Sequence, residues 1–285
     1  MDASVNRRDD GLRTPAGYMF DVDGTLVLGD RSGHGYQVLP GAKQVLETLQ
    51  ARNIPFVLLT NGSAYPASVQ APRLREVGLP VEDWQMLTPS SVTADYLARK
   101  GVKRALILGT PGVGHALAEK GIELLFTGQP GADEVDAVYV GWHPDCGMKD
   151  IETACHAIWG GAGLYIASSV PFFASHGGKA IGYSHAIYAA IRSLTDGKRG
   201  IITGKPSQHA LRFVARTLGV PLREVGVVGD DPTLEPAMAR KGGAIGFGVT
   251  TGIYKEDAWL AQPPANRPDR LLTCVGDLLE LGVIG

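Results

Sequence analysis

Ala16-Gly17-Tyr18-Met19-Phe20-Asp21-Val22-Asp23-Gly24-Thr25 is the stretch that decides the fold. Tyr18, Met19 and Phe20 form a short apolar run suited to a buried strand. Asp21 and Asp23 follow, and alternation along an extended chain sends both carboxylates to one side and Val22 to the other. Gly24 then lets the chain turn away. Two carboxylates aimed together at the carboxyl end of a buried strand repel each other and are costly to bury without a cation or hydrogen bonds. The pair reads as a metal and phosphate site. Asp-Gly is also an ordinary turn signal with Asp21 as its capping residue, so the rest of the chain must decide between the two.

Downstream of this stretch the pattern alternates between strands and helices. Residues 26–37 contain three glycines and read as an irregular flap. Pro40-Gly41 opens a helix through Leu49 and Arg52, with Ala42, Val45, Leu46 and Leu49 on one face. Ile54–Leu59 is a second buried strand ending in Thr60-Asn61-Gly62-Ser63, and a helix follows over about 66–77. Thr88-Pro89-Ser90 starts a helix that runs to about Lys100. Residues 103–168 repeat a strand–helix pattern, with strands at 105–108, 137–140 and 164–167 and helices at 112–120 and 149–159, enough for a separate small sheet. Ser184–Leu194 is helical. Gly200–Thr203 then leads into Gly204-Lys205-Pro206 and a helix to Leu218, and Val225–Val228 is an apolar strand ending in Gly229-Asp230-Asp231. A helix at 233–241 and a strand at 244–249 follow.

Such an order implies an α/β fold: a Rossmann-like parallel-sheet core with helices on both faces, plus an inserted α/β cap. The expected division is a core of 1–92 and 200–285 and a cap of 93–199. Ligands of such sheets sit outside the carboxyl ends of the strands. Four polar clusters fall there: Asp21/Asp23, Thr60/Asn61, Lys205 and Asp230/Asp231.

Bulk properties narrow the function classes. The 285 residues are 44% hydrophobic and 20% charged, ordinary for a packed globular protein. Lys and Arg number 27 against 29 Asp and Glu, a net charge of −2 without a basic stripe, which argues against nucleic acid as a partner. The three cysteines, Cys146, Cys155 and Cys274, show no metal-ligand spacing and suggest a reducing, cytoplasmic setting. Residues 1–13 are charged and lack the apolar core of a secretion signal, residues 1–14 read as a mobile tail, and no apolar run is long enough to span a bilayer.

The polar clusters suit phosphoryl chemistry. Mg²⁺ takes oxygen ligands from a few carboxylates alongside waters and substrate phosphate, and Asp21, Asp23 and Asp230 are the candidate metal residues. Lys205 is a compact point charge suited to phosphate, while the Thr60 hydroxyl, with Asn61 and nearby backbone N–H groups, completes the phosphate-binding set. Asp21 is the candidate nucleophile, forming an aspartyl-phosphate. Asp23 is the candidate acid that protonates the leaving oxygen and later activates water.

On these residues the chain resembles the haloacid dehalogenase-like phosphatases. More narrowly, it resembles the subfamily of NagD-type, 4-nitrophenyl-phosphate and pyridoxal-phosphate phosphatases. The four family motifs stand in order as Asp21-Val-Asp-Gly-Thr25, Thr60-Asn61, Gly204-Lys205-Pro206 and Gly229-Asp230-Asp231…Glu235. The resemblance covers roughly 15–283 and implies a large cap between the second and third motifs. It also implies a Mg²⁺-dependent phosphomonoesterase acting on a small phosphorylated metabolite. Phosphotransfer of the mutase kind and a catalytically silent phosphate binder are the rivals, and the presence of both Asp21 and Asp23 disfavours the second. A homodimer through the cap is a further expectation.

Three departures from the family pattern stand out. The flap is longer, through Arg31-Ser-Gly-His-Gly-Tyr36. Leu234-Glu235 replaces Thr-Asp in the last motif, which leaves Asp231 or Glu235 open as partners of Asp230. Ser168-Ser169-Val170-Pro171 replaces Thr-Asn-x-Asp in the cap loop. The first and third place specificity in the flap and in the loop Ser168–His176, with Phe172, Phe173, His34 and His176 as candidates. Gly109-Thr-Pro-Gly112-Val-Gly114 mimics a dinucleotide turn but lacks the spacing and the following acid. His156, His185 and His209 read as packing or surface residues, Cys146 and Cys155 as inert, and Trp142-His143-Pro144 as a cap edge or a dimer contact.

Overall fold

In the computed structural model, residues 11–29, 35–175 and 178–284 are described, and side chains at 173–179 are not. The expectations for His34, His176, the side chain of Phe173 and most of the Arg31–Tyr36 flap therefore lie outside the described residues. The chain forms two compact units, one of residues 1–59, 70–86 and 211–285, the other of 60–69 and 87–210.

The first unit is built on a six-stranded sheet in the order Arg270–Leu272, Ile245–Val249, Val225–Gly229, Gly17–Phe20, Phe56–Leu59, Met86–Leu87. The central pairings are parallel: Met19 lies opposite Val227 on one side and Val57 on the other. Strands covered on both faces need apolar side chains throughout, and Gly17–Phe20, Phe56–Leu59, Val225–Gly229 and Ile245–Val249 are buried at every position. The helix Ala42–Ala51 presents Ala42, Val45, Leu46 and Leu49 inward, the spacing of one helical face.

The strand carrying the opening motif stops at Phe20, and Asp23 makes only an isolated bridge with Val27. Asp21 and Asp23 therefore follow the strand rather than extend it, and strand alternation does not by itself fix their directions. The flap also departs from expectation. Val27–Gly29 and Tyr36–Val38 pair as an antiparallel hairpin, so its flanks are regular.

The second unit is a five-stranded parallel sheet in the order Ile201–Ile202, Gly163–Ile166, Ala137–Val140, Arg104–Leu108, Glu123–Leu125. Alternate residues fill its two faces. Leu106, Leu108, Val138, Val140, Leu164 and Ile166 pack with Ile151, Ala154, Ile158, Ile187 and Ile191 of two helices. Ala105, Ile107, Ala137, Tyr139 and Tyr165 pack with Ala94, Leu97, Val113 and Leu117 of two others. Each large side chain buried this way contributes about 1.5–3 kcal/mol relative to exposure. Residues Phe172–Ser175 and Gly178–Ile181 form an antiparallel hairpin where the sequence suggested a loop. Among the described residues no helix is long and apolar enough to cross a membrane.

Candidate active site

The acidic candidates and the phosphate-reading candidates fall in different units: Asp21, Asp23 and Asp230 in the first, Thr60, Asn61 and Lys205 in the second.

In the first unit Asp21 follows the strand Gly17–Phe20, and Asp230 follows its parallel neighbour Val225–Gly229. The Asp21 N–H donates to the Val228 carbonyl at 2.9 Å, which ties the two strand ends together. Both carboxylates are buried, at 8% and 7% exposure, whereas Asp23 is exposed. Gly24 has φ +83°, and a Cβ there would lie 2.4 Å from Asp230 Oδ2. Gly252 is closer still: its Cβ would fall 1.7 Å from the same oxygen. Side chains are excluded at both positions, so the Asp230 carboxylate rests in a cradle of bare backbone. The Thr251 hydroxyl fixes the cradle by donating to the Gly24 carbonyl at 2.6 Å, and the Ile253 N–H donates to Asp230 Oδ2 at 3.3 Å.

The neighbouring acids are engaged locally. Asp231 Oδ1 accepts from the N–H and hydroxyl of Thr233 at 2.8 and 2.7 Å, an Asx turn that occupies this carboxylate. Glu235 is fully buried beneath Gly229, and its Oε2 accepts from the Asp231 N–H at 3.4 Å. These contacts favour Asp230 over Asp231 and Glu235 as the metal residue. The acids also act on two phenols. Burial, then the charge of Asp23, raise the Tyr36 pKa above its ordinary value against the lowering by Arg73. Asp231, burial and Asp230 raise that of Tyr254. Both phenols are therefore neutral at physiological pH.

Asp21 and Asp230 suit a hard divalent cation: two buried, oxygen-only donors beside backbone that no side chain crowds. They do not form a closed cage. Among the described residues, the one group of three His, Cys, Asp or Glu with mutually close ligand atoms is His143, Cys146 and Asp150. An incomplete acidic set matches Mg²⁺, which keeps waters and substrate oxygens in its shell.

In the second unit the Thr60–Ser63 turn and the Gly204–Pro206 loop are joined by one amide. Asn61 Oδ1 accepts from the Lys205 N–H at 2.8 Å, and Asn61 Nδ2 donates to the Lys205 carbonyl at 3.1 Å. Asn61 therefore positions Lys205, a role its residue type alone did not reveal. Thr60 Oγ1 accepts from the Gly62 N–H at 2.9 Å, shaping its own turn. A Cβ on Gly204 would lie 2.3 Å from the Ala167 carbonyl oxygen, so the loop passes where only glycine fits. Beneath it the Thr93 and Thr203 hydroxyls lie 2.8 Å apart, both buried. Lys205 is 2% exposed and Thr60 6%.

Two of the discounted histidines pack against aromatic rings. His209 meets Tyr96 edge-on at 4.8 Å between centroids, and His156 meets Trp159 at 5.4 Å. Burial and the Asp150 charge push the Cys146 thiol up to about 11, so it is no nucleophile at neutral pH.

Two family models match the chain: haloacid dehalogenase-like hydrolase over residues 18–123 and HAD-hydrolase-like over 202–278. A dihydroxyacetone phosphatase of Corynebacterium glutamicum is 26% identical over 92% of this chain and 90% of its own. The crystal structure of a 4-nitrophenylphosphatase from Thermotoga maritima superposes with a TM-score of 0.82 at 25% identity, covering 94% of this chain and 97% of that one. A glycerol phosphate phosphatase of Mycobacterium tuberculosis, solved with calcium, gives 0.80 at 25% identity, over 93% of this chain and 74% of that one.

Proposed function

The chain belongs to the haloacid dehalogenase-like hydrolases and is a phosphatase; from that premise we propose a Mg²⁺-dependent phosphomonoesterase that forms an aspartyl-phosphate on Asp21. The cradled Asp230 carboxylate beside the Asp21 strand end carries this reading. Two carboxylates gathered at neighbouring strand ends are favoured by a bound cation, which offsets their mutual repulsion.

Asp21 and Asp230 would hold the ion, and Asp23 would handle the proton. Bound Mg²⁺ supplies charge neutralisation for the phosphoryl oxygens. An Asp21 carboxylate oxygen attacks phosphorus, and the bond from phosphorus to the ester oxygen breaks. Protonated Asp23 gives its proton to that oxygen as the alcohol leaves. Water then attacks the aspartyl-phosphate; Asp23 accepts the water's proton, inorganic phosphate leaves and Asp21 is regenerated. Lys205 supplies positive charge, Thr60 a hydroxyl donor, and Asn61 holds the Lys205 main chain. The cap that reads the leaving group is assigned to 93–199, and the substrate to small phosphorylated metabolites such as sugar or polyol phosphates.

Phosphate release from a panel of such esters, with Mg²⁺ and with excess chelator, tests this. Release that needs Mg²⁺ and is lost in Asp21→Asn is expected. Full activity in chelator would remove the metal assignment, and substantial turnover by Asp21→Asn would remove the covalent route.

A further inference from the structure

The loop leaving strand Ala137–Val140 and the first turn of helix Met148–Trp159 gather three side chains of different donor chemistry. They stand at His143-x-x-Cys146-x-x-x-Asp150 spacing, and their ligand atoms all lie within 4.8 Å of one another. His143 Nε2 is 3.8 Å from an Asp150 carboxylate oxygen. Cys146 is a free thiol, and all three residues are half-buried. The whole cluster lies within the second unit and uses none of the residues assigned to phosphate hydrolysis.

Capping explains only one member. The Gly147 N–H donates to Asp150 Oδ2 at 2.8 Å, which satisfies the start of the helix and fixes the carboxylate. That role needs neither an imidazole nor a thiol. Donor atoms around a tetrahedral zinc ion, bonded at about 2.0–2.3 Å, lie roughly 3.3–3.8 Å from one another. The His143–Asp150 distance is already at the edge of that range, and the widest separation must close by about 1 Å, within reach of a rotation of side chains in a loop. The set of nitrogen, sulfur and oxygen suits a borderline cation; Mg²⁺, which takes oxygen ligands, does not match it.

We propose that His143, Cys146 and Asp150 bind one zinc ion, with solvent in the fourth position. On binding, the thiol proton leaves to solvent and a zinc–thiolate bond forms. The ion would staple the loop 141–147 to the helix that follows it, a restraint on the second unit independent of the phosphatase reading.

Cobalt(II) is a suitable probe because its thiolate complexes absorb in the near ultraviolet. The full chain is stripped with chelator, dialysed and titrated with Co²⁺ in excess Mg²⁺, which keeps the oxygen-donor site filled. One equivalent is expected to give a thiolate-to-cobalt band that Zn²⁺ abolishes. Cys146→Ser is expected to lose the band, and His143→Gln to weaken Co²⁺ binding at least tenfold, both with unchanged far-ultraviolet dichroism. Absence of the band in the unsubstituted protein overturns the site. So does its persistence in Cys146→Ser, which would move it to Cys155 or Cys274. If Cys146→Ser fails to fold, His143→Gln decides, and unweakened Co²⁺ binding there overturns the proposal.

Discussion

At the scale of single residues the site depends on what is missing as much as on what is present. Gly24 and Gly252 leave the Asp230 carboxylate no side-chain neighbour on two sides. Gly24→Ala would add a Cβ at 2.4 Å from that carboxylate and force an alanine to φ +83°. The expected outcome is at least a tenfold rise in the Mg²⁺ concentration needed for half-maximal phosphate release, measured by metal titration; an unchanged requirement would detach Asp230 from the metal. Asp21→Asn is expected to abolish turnover and to yield no acid-stable phosphoenzyme. Asp23→Asn is expected to lose about 10²–10⁴-fold in kcat, the usual range for a general acid–base. That loss should shrink for an ester with a good leaving group, which asks less of the acid. A loss in kcat/KM that is independent of the leaving group would remove the acid role from Asp23, because kcat/KM ends with the departure of the alcohol.

At the scale of elements the sequence was readable where burial imposed a period. The strand Ala137–Val140 and the helix Ala42–Ala51 stand close to where apolar runs and one-face spacing put them. The two hairpins were not readable. Val27–Gly29 with Tyr36–Val38, and Phe172–Ser175 with Gly178–Ile181, are strands of three or four residues, too short to show a period. Thr60, Lys205 and Asp230 were readable as candidates because each follows a strand or short loop at a motif position. The pairing of Asn61 with the Lys205 main chain was not, since it joins residues 144 apart. Nor was the His143, Cys146 and Asp150 cluster, whose spacing crosses from a loop into a helix and has no period. Two stability tests belong here. Leu106 is fully buried, so Leu106→Ala should cost about 2–5 kcal/mol in denaturant unfolding. Thr88 Oγ1 accepts from the Ser91 N–H and Ser91 Oγ from the Thr88 N–H, so Thr88→Ala should cost about 1 kcal/mol. A smaller loss for Leu106→Ala than for Thr88→Ala would mean that the sheet of the second unit does not carry its stability.

At the scale of the whole molecule, the proposed reading puts chemistry and selectivity on different residues. Every phosphomonoester offers the same phosphoryl group, so Asp21, Asp23, Thr60, Lys205 and Asp230 cannot tell one substrate from another. Discrimination must come from groups that touch the leaving alcohol. The segment from Ser168 onward departs from the family's cap-loop pattern and leads into the hairpin Phe172–Ser175/Gly178–Ile181. Phe172 and Ile181 are register partners across that hairpin, and both are largely exposed, at 47% and 59%. Two adjacent apolar side chains held in solvent gain about 25 cal/mol for each square ångström that a ligand covers, which gives them a means of ranking leaving groups by shape. Phe172→Ala and Ile181→Ala are therefore expected to reorder kcat/KM across a panel of sugar, polyol and nucleoside monophosphates by tenfold or more. Hydrolysis of 4-nitrophenyl phosphate should change little, because its activated leaving group asks little of the pocket. Each variant needs the full panel in both assays. A uniform fall across all esters would make the hairpin a support for the cap and place specificity on other residues.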